Sequence, residues 1–283
     1  MAKCVVAVAA LGVALGVALG VGVISRGVGA AHGSVPASGT AVAAPNSSLS
    51  AAIPRGADGK PDLSGFWQSF GSADWDILAH AARKPEIARA PLGEVPAGLG
   101  IVVGNSIPYL PAALQQKQKN YRERNLDDPR VKCYMQGVPR IMYTPLPFQI
   151  FQSPERLTML FEYAHSVRQI YTNGTPHPPG HIDWWMGDSR GHWEGDTLVV
   201  DVVDFDDESW FDHAGDFHSD ALHVIERFTL VDADHIRYQA RIEDPKVFTR
   251  PWDIELVLYR HKEKNFQLLE FECDAMYYEQ FYP

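Results

Sequence analysis

From Phe148 to Cys273 the chain is a succession of short runs in which apolar and polar side chains alternate, joined mostly by brief turns. Ile236, Tyr238, Ala240 and Ile242 fall on one face of such a run, and Arg237, Gln239, Arg241 and Glu243 on the other. A period of two is the signature of a strand with one buried face. The runs are Phe148–Ser153, Leu157–Tyr163, Val167–Thr172, Arg190–Trp193, Thr197–Phe205, His223–Val231, His235–Glu243, Trp252–His261 and Phe266–Cys273. Asn173-Gly174 and Glu194-Gly195-Asp196 supply turn chemistry between them. Short connections make neighbours antiparallel. About eight or nine such strands do not stay flat with open edges. The expected fold is therefore mainly β: an antiparallel up-and-down, lipocalin-like barrel or a strongly bent sheet. A barrel of about eight strands has room for one small ligand.

Upstream of Phe148 the texture is irregular. Residues 56–67 read as a turn series pinned to the core by Phe66 and Trp67, and Asp74–Arg83 reads as a short helix. Ala112–Asn125 lacks Pro and Gly and reads as a polar surface helix ending before Asp128-Pro129. This partly helical segment is expected to cover an opening or edge of the sheet.

The chain begins Met-Ala-Lys and then runs almost wholly through Ala, Val, Leu and Gly from Cys4 to Ile24. Residues 1–31 read as a signal peptide or, because the apolar run approaches the ~20 residues that span a bilayer, as an uncleaved N-terminal anchor. Either places the rest of the chain outside the cytoplasm, in the periplasm or secreted. Residues 32–52 are small and polar and read as a flexible linker; 53–283 form the expected single β-rich domain. Beyond the leader only Cys133 and Cys273 remain. In an exported protein they suggest one disulfide, the alternative being two buried thiols.

The net charge of −10, with no basic cluster, disfavours nucleic acid, and membrane contact is expected only through the N-terminal segment. Two stretches concentrate polar groups. The first, 184–196, holds Trp184, Trp185, Asp188, Arg190 and His192, which either converge at a pocket rim or form a solvated turn and hairpin. The second, 213–227, holds His213, Asp216, His218, Asp220 and His223. It has no H-E-x-x-H or comparable signature, and Pro178-Pro179 forbids a helix between His177 and His181, so neither a metal nor a cofactor is expected. His165, Asp188, His218 and Asp220 are the candidate acid–base groups, and Trp184, Trp185, Arg190 and Glu162 the candidate ligand contacts. Counting strands puts loops 173–189 and 206–222 at one end of the sheet and the 164–166 turn, with His165, at the other. For each residue an ordinary cross-strand ion pair or loop role competes with the functional one.

Several motifs carry a resemblance: Asp62-Leu63-Ser64-Gly65-Phe66-Trp67, Cys133 followed by Gly137-Val138-Pro139-Arg140, Trp185-Met186-Gly187-Asp188-Ser189-Arg190-Gly191, Trp193 through Asp201, His218 through Leu222, and Asp244-Pro245-Lys246. Together they resemble the landmarks of a broad, mostly uncharacterised family of exported bacterial β-rich proteins. The resemblance implies export and a paired cysteine, and assigns no activity.

The leading expectation is an exported protein binding a small, largely apolar or aromatic molecule in a barrel-type pocket, which the stock of Trp, Tyr and Phe would line. The alternative is a periplasmic acid–base enzyme (lyase, isomerase or hydrolase) using His and Asp on such a molecule. A third reading is a structural envelope module.

Overall fold

A computed structural model describes residues 53–84, 95–180, 182–271 and Cys273. The expected leader and linker, and His181, lie outside the described residues. Nine strands close into a barrel in chain order: β1 (Gly65–Ser69), β2 (Phe148–Ser153), β3 (Arg156–Phe161), β4 (Val167–Tyr171), β5 (Asp188–Glu194), β6 (Thr197–Val203), β7 (His223–Asp232), β8 (His235–Glu243) and β9 (Trp252–Arg260). The mainly β barrel expected from the alternation is borne out.

Two features of the expected sheet are corrected. β4 and β5 run parallel, with Ile170 beside Ser189 and Tyr171 beside Arg190, so the meander is not antiparallel throughout. The connection between them is long enough to travel the length of the barrel, which a hairpin cannot do. The second correction concerns the ends of the strand list. Residues 65–69 are a strand, whereas the described residues of the last expected run, 266–271 and Cys273, are not. β1 pairs with β2 on one side and β9 on the other, which seals the ring and leaves no edge for a further strand. The C-terminal stretch instead packs outside: Phe266 stacks on His261 with ring centroids 3.8 Å apart, and Leu269 donates its N–H to Glu162 Oε2 at 2.7 Å.

The parallel step also changes which connections share an end. Following the registers, the turn after β3, the start of β5, the loops after β6 and β8, and both ends of the 70–147 segment all lie at one end of the barrel. His165, expected opposite, belongs to this same loop end. Within the 70–147 segment, α1 (Pro111–Asp127) opens with Pro and buries only Ala113 and Asn120. The four residues of α2 (Arg140–Tyr143) are wholly buried. The helix expected over Asp74–Arg83 is absent. Its backbone pairs instead at His80–Gly98 and Arg83–Val95, while Asp74 and Asp76 turn to Arg130, Arg140 and Arg83.

The inward residues of the strands, among them Ile150, Met159, Ile170, Leu198, Val200, Phe228, Ile236 and Ile254, form one core with Trp67 and Phe148. Polar side chains inside the ring answer one another. Arg168 bonds Glu226 and Ser189, and Tyr238 donates to Glu226 at 2.8 Å. Cys133 and Cys273 are bonded, with Cα atoms 5.5 Å apart. Among the described residues no helix is long and apolar enough to cross a membrane.

Candidate functional site

At the loop end, two charged clusters are built from segments far apart in sequence. The first is centred on Arg140. Its guanidinium bonds Asp74 Oδ1 at 2.8 Å and both oxygens of Asp128, at 2.8 and 3.0 Å. Gln136 donates to Asp74 at 3.1 Å and Arg130 adds a second cation. On its far side Asp128 meets His213 Nδ1 at 2.7 Å. Burial opposes ionisation of Asp128, but Arg140 and His213 together overcome it and hold the carboxyl below the usual range. Two carboxylates and two guanidiniums balance, so this cluster fixes α2 and the loop after β6 in place.

The second cluster is not balanced. Asp76, Asp212 and Asp216 bring carboxylate oxygens within 4.8 Å of one another. Asp212 Oδ2 accepts the Ile77 N–H at 2.9 Å and Oδ1 the Asp216 N–H at 3.0 Å. Asp216 Oδ1 accepts from Tyr109 OH at 2.8 Å, while its buried Oδ2 makes no hydrogen bond and has Lys117 Nζ at 3.7 Å. Arg83 pairs with Asp76. Three carboxylates stand against two cations, leaving one negative charge unmatched inside the protein. Burial, and then the charge of Asp216, raise the Asp212 carboxyl well above the ordinary range. Asp216 is raised by burial too, against the pull of Lys117, Asp212 and Tyr109. Both carboxyls are thus readier to hold a proton than free acids, which would offset the unmatched charge. Oxygen-only donors of this kind also suit a hard cation, although Lys117 and Arg83 already occupy the flanks.

A 290 Å³ pocket opens beside this cluster. Asp76 and Tyr143 contribute its polar groups together with Ser69 and Ser72, and Phe70, Ala73, Leu99, Ile101 and Leu256 its apolar walls. Gly215 controls how α1 meets the acidic loop. It sits at φ +84°, and a Cβ there would fall 2.7 Å from Tyr121 N and 2.8 Å from Asn120 Cβ. Asn120 Nδ2 bonds Gly215 O across the same contact.

The residues singled out in the sequence are distributed differently. Asp188 and Arg190 are together: Arg190 bonds both Asp188 oxygens, at 2.6 and 2.8 Å, and lies 4.6 Å over the Tyr171 ring. His177 Nδ1 joins them, 2.6 Å from Asp188 Oδ2. Trp184 is exposed beside them in the chain, and Trp185 packs on Tyr134 with ring centroids 4.9 Å apart. His218 turns elsewhere. It is buried near Phe205 and Phe211, with Ser209 Oγ at 2.8 Å and Ser219 O at 3.0 Å, and burial lowers its pKa. Asp220 is exposed and paired with Lys246. His165 is exposed on a turn at φ +49°, and Glu162 is buried holding the C-terminal stretch.

Reading the sequence singled out neither Asp76, Asp212 nor Tyr109. Asp216 lies in the second polar stretch and Asp212 immediately before it, which was the available signal; Asp76 and Tyr109 are over a hundred residues away and carried none. No family model, curated protein or solved structure matches this chain.

Proposed function

We propose that this protein binds a small molecule with an apolar body and a cationic head group, taken into the pocket at the loop end of the barrel. The expectation of a ligand inside the lumen yields to this one because the inward side chains occupy the lumen. The observation that carries the reading is the meeting of apolar walls with Asp76, at the edge of three carboxylates that lack one positive charge. The volume lies near the lower bound of ligand pockets, about 300–1,000 Å³, and apolar walls with a few polar groups are their usual lining. An ammonium reaching Asp76 supplies the charge that a proton on Asp212 or Asp216 would otherwise meet, so binding is expected to release a proton. In this reading the domain works outside the cytoplasm.

The test is calorimetric titration with benzylamine and phenethylamine against toluene and benzyl alcohol, in two buffers of different ionisation enthalpy. Tighter binding of the amines, with proton release, and loss of that preference in Asp76→Asn are expected. Equal binding of amines and neutral probes, or no binding of either, would remove the proposal.

One observation favours a second reading, acid–base catalysis. Asp128, anchored by Arg140, faces His213 Nδ1, an arrangement by which a buried carboxylate orients an imidazole base. A screen of chromogenic esters, lactones and phosphodiesters tests it: turnover lost in His213→Gln supports catalysis, and turnover unchanged in that variant excludes this dyad.

A further inference from the structure

A second constellation lies on the outer wall of the barrel. On β5 the side chains of Asp188 and Arg190 face outward, and Asp201 on β6 stands opposite Arg190. His223 opens β7, and its cross-strand partner is Glu243 at the end of β8. His177 comes down on this row from the connection between β4 and β5 and makes it continuous. Asp188 Oδ2 is 2.6 Å from His177 Nδ1, and His177 Nε2 is 3.4 Å from Asp201 Oδ2. Asp201 Oδ1 bonds His223 Nε2, and His223 Nδ1 is 3.4 Å from Glu243 Oε2.

Each imidazole therefore meets a carboxylate at both ring nitrogens. A carboxylate can only accept, and a neutral imidazole has one N–H to give. Each ring can donate toward both of its carboxylates only as imidazolium. The charges around them agree. Arg190 answers Asp188, and Arg241, 3.0 Å from Glu243, answers that end. Asp201 is left between two rings and holds no other cation in this row. The row is half-buried, so its charges are only partly screened.

We propose that this chain of alternating carboxylates and imidazoles is a pH-operated latch that fastens residues 172–180 to the barrel wall at acidic pH and releases them as pH rises. His177 is the member carried by the connection, and it is held to two strands at once. When His223 loses a proton, one of its two contacts becomes a lone pair facing a carboxylate, and the row that holds His177 through Asp201 is broken. Asp188 remains with Arg190, so the strand side of the latch persists while the connection lifts. Arg190 NH1 to Thr175 Oγ1, 2.7 Å, is the remaining side-chain tie described between this stretch and β5.

The direction follows from linkage. The bond to Asp201 is the main cause of a raised His223 pKa, which burial opposes. Asp201 is lowered, first of all by its bond to His223. A folded-state imidazole pKa above the free value gives a contribution that is complete below that value, about 6.5, and is lost as pH rises through the raised one. The latch is thus closed in acid and open in mild alkali.

Hydrogen exchange of peptides within 172–180, measured from pH 5.5 to 8.5 and corrected for intrinsic rates, tests the proposal. Protection is expected to fall by up to about tenfold per pH unit, for each imidazolium lost, between the closed-state and open-state pKa values. Asp201→Asn and His177→Gln should each flatten this slope. Both change half-buried side chains, and exchange in β7 and β8 reports whether the barrel stays folded. A measurement on the unaltered protein complements them: ¹⁵N ring shifts should show His223 as imidazolium at pH 5.5. Protection that does not change with pH, a slope retained in both variants, or a neutral His223 ring at pH 5.5 would overturn the latch.

Discussion

Arg168 on β4 and Glu226 on β7 meet inside the barrel, joined by both terminal guanidinium nitrogens, and neither side chain reaches solvent. The cost of burying such charges is large unless each is fully answered. Ser189 also accepts from Arg168 and Tyr238 donates to Glu226, so the remaining polar capacity is used. Removing one partner strands the other. Arg168→Met alone is expected to lower unfolding free energy by about 3–5 kcal/mol, and Arg168→Met with Glu226→Leu to recover most of that loss. Urea midpoints of the two variants decide it; a double variant no more stable than the single would refute the account.

The acid pair makes stability depend on pH in an uncommon direction. Asp212 and Asp216 have raised pKa values in the fold, so the folded protein holds their proton more tightly than the unfolded chain. Their contribution is complete below the ordinary carboxylate value, about 3.9, and is lost as pH rises toward the folded values. Asp216→Asn keeps an acceptor for Tyr109 and removes one of the two carboxyls whose protonation is favoured by burial. Its denaturation midpoint should therefore fall less than the wild type's between pH 5 and pH 8. Parallel pH profiles would show that the fold does not favour a proton on Asp216.

Gly215→Ala should damage stability and the pocket together. A methyl at φ +84° is strained and meets the backbone of α1, which cannot step aside. A loss of about 1–3 kcal/mol is expected, with weaker amine binding because Asp216 and Lys117 are displaced. Thermal unfolding and calorimetry on the same preparation measure both, and a variant that loses stability while binding as before would separate Gly215 from the site.

The disulfide should contribute mainly through the unfolded chain. Cys133 and Cys273 are 140 residues apart in sequence, a long loop to close. The chain-entropy relation gives about 5 kcal/mol as an upper figure for replacing both by Ser. Guanidinium unfolding of the double variant reads it directly; a change below about 1 kcal/mol would mean that the unfolded chain is little restrained by the bond.

How legible the fold was depended on distance along the chain. β7, β8 and β9 follow one another with tight turns, and their alternation was sufficient to place them. β1 has no such neighbour: its partners β2 and β9 come some eighty and some two hundred residues later, and Gly65 at its start reads as turn chemistry. Phe266–Cys273 alternates only from Leu269 onward, and the ring has no edge to offer it. The site was less legible for the same reason. Asp188 and Arg190 are two residues apart and could be grouped by eye. Asp76 joins Asp212 and Asp216 because the segment between β1 and β2 leaves from the end of the barrel at which the loop after β6 lies. Tyr109 joins them from the middle of that excursion.

Alternation cannot be completed around a ring with an odd number of members. Nine strands that reverse direction at every step would leave the last at odds with the first, so at least one junction has to break the pattern. Here the break falls between β4 and β5, and that junction is also the shortest, holding at two residue pairs where even β1 holds at three on either side. The odd count thus gives the wall a built-in seam. Under load or heat the cylinder should part along it first, unrolling from a definite place into a sheet whose two new edges are β4 and β5.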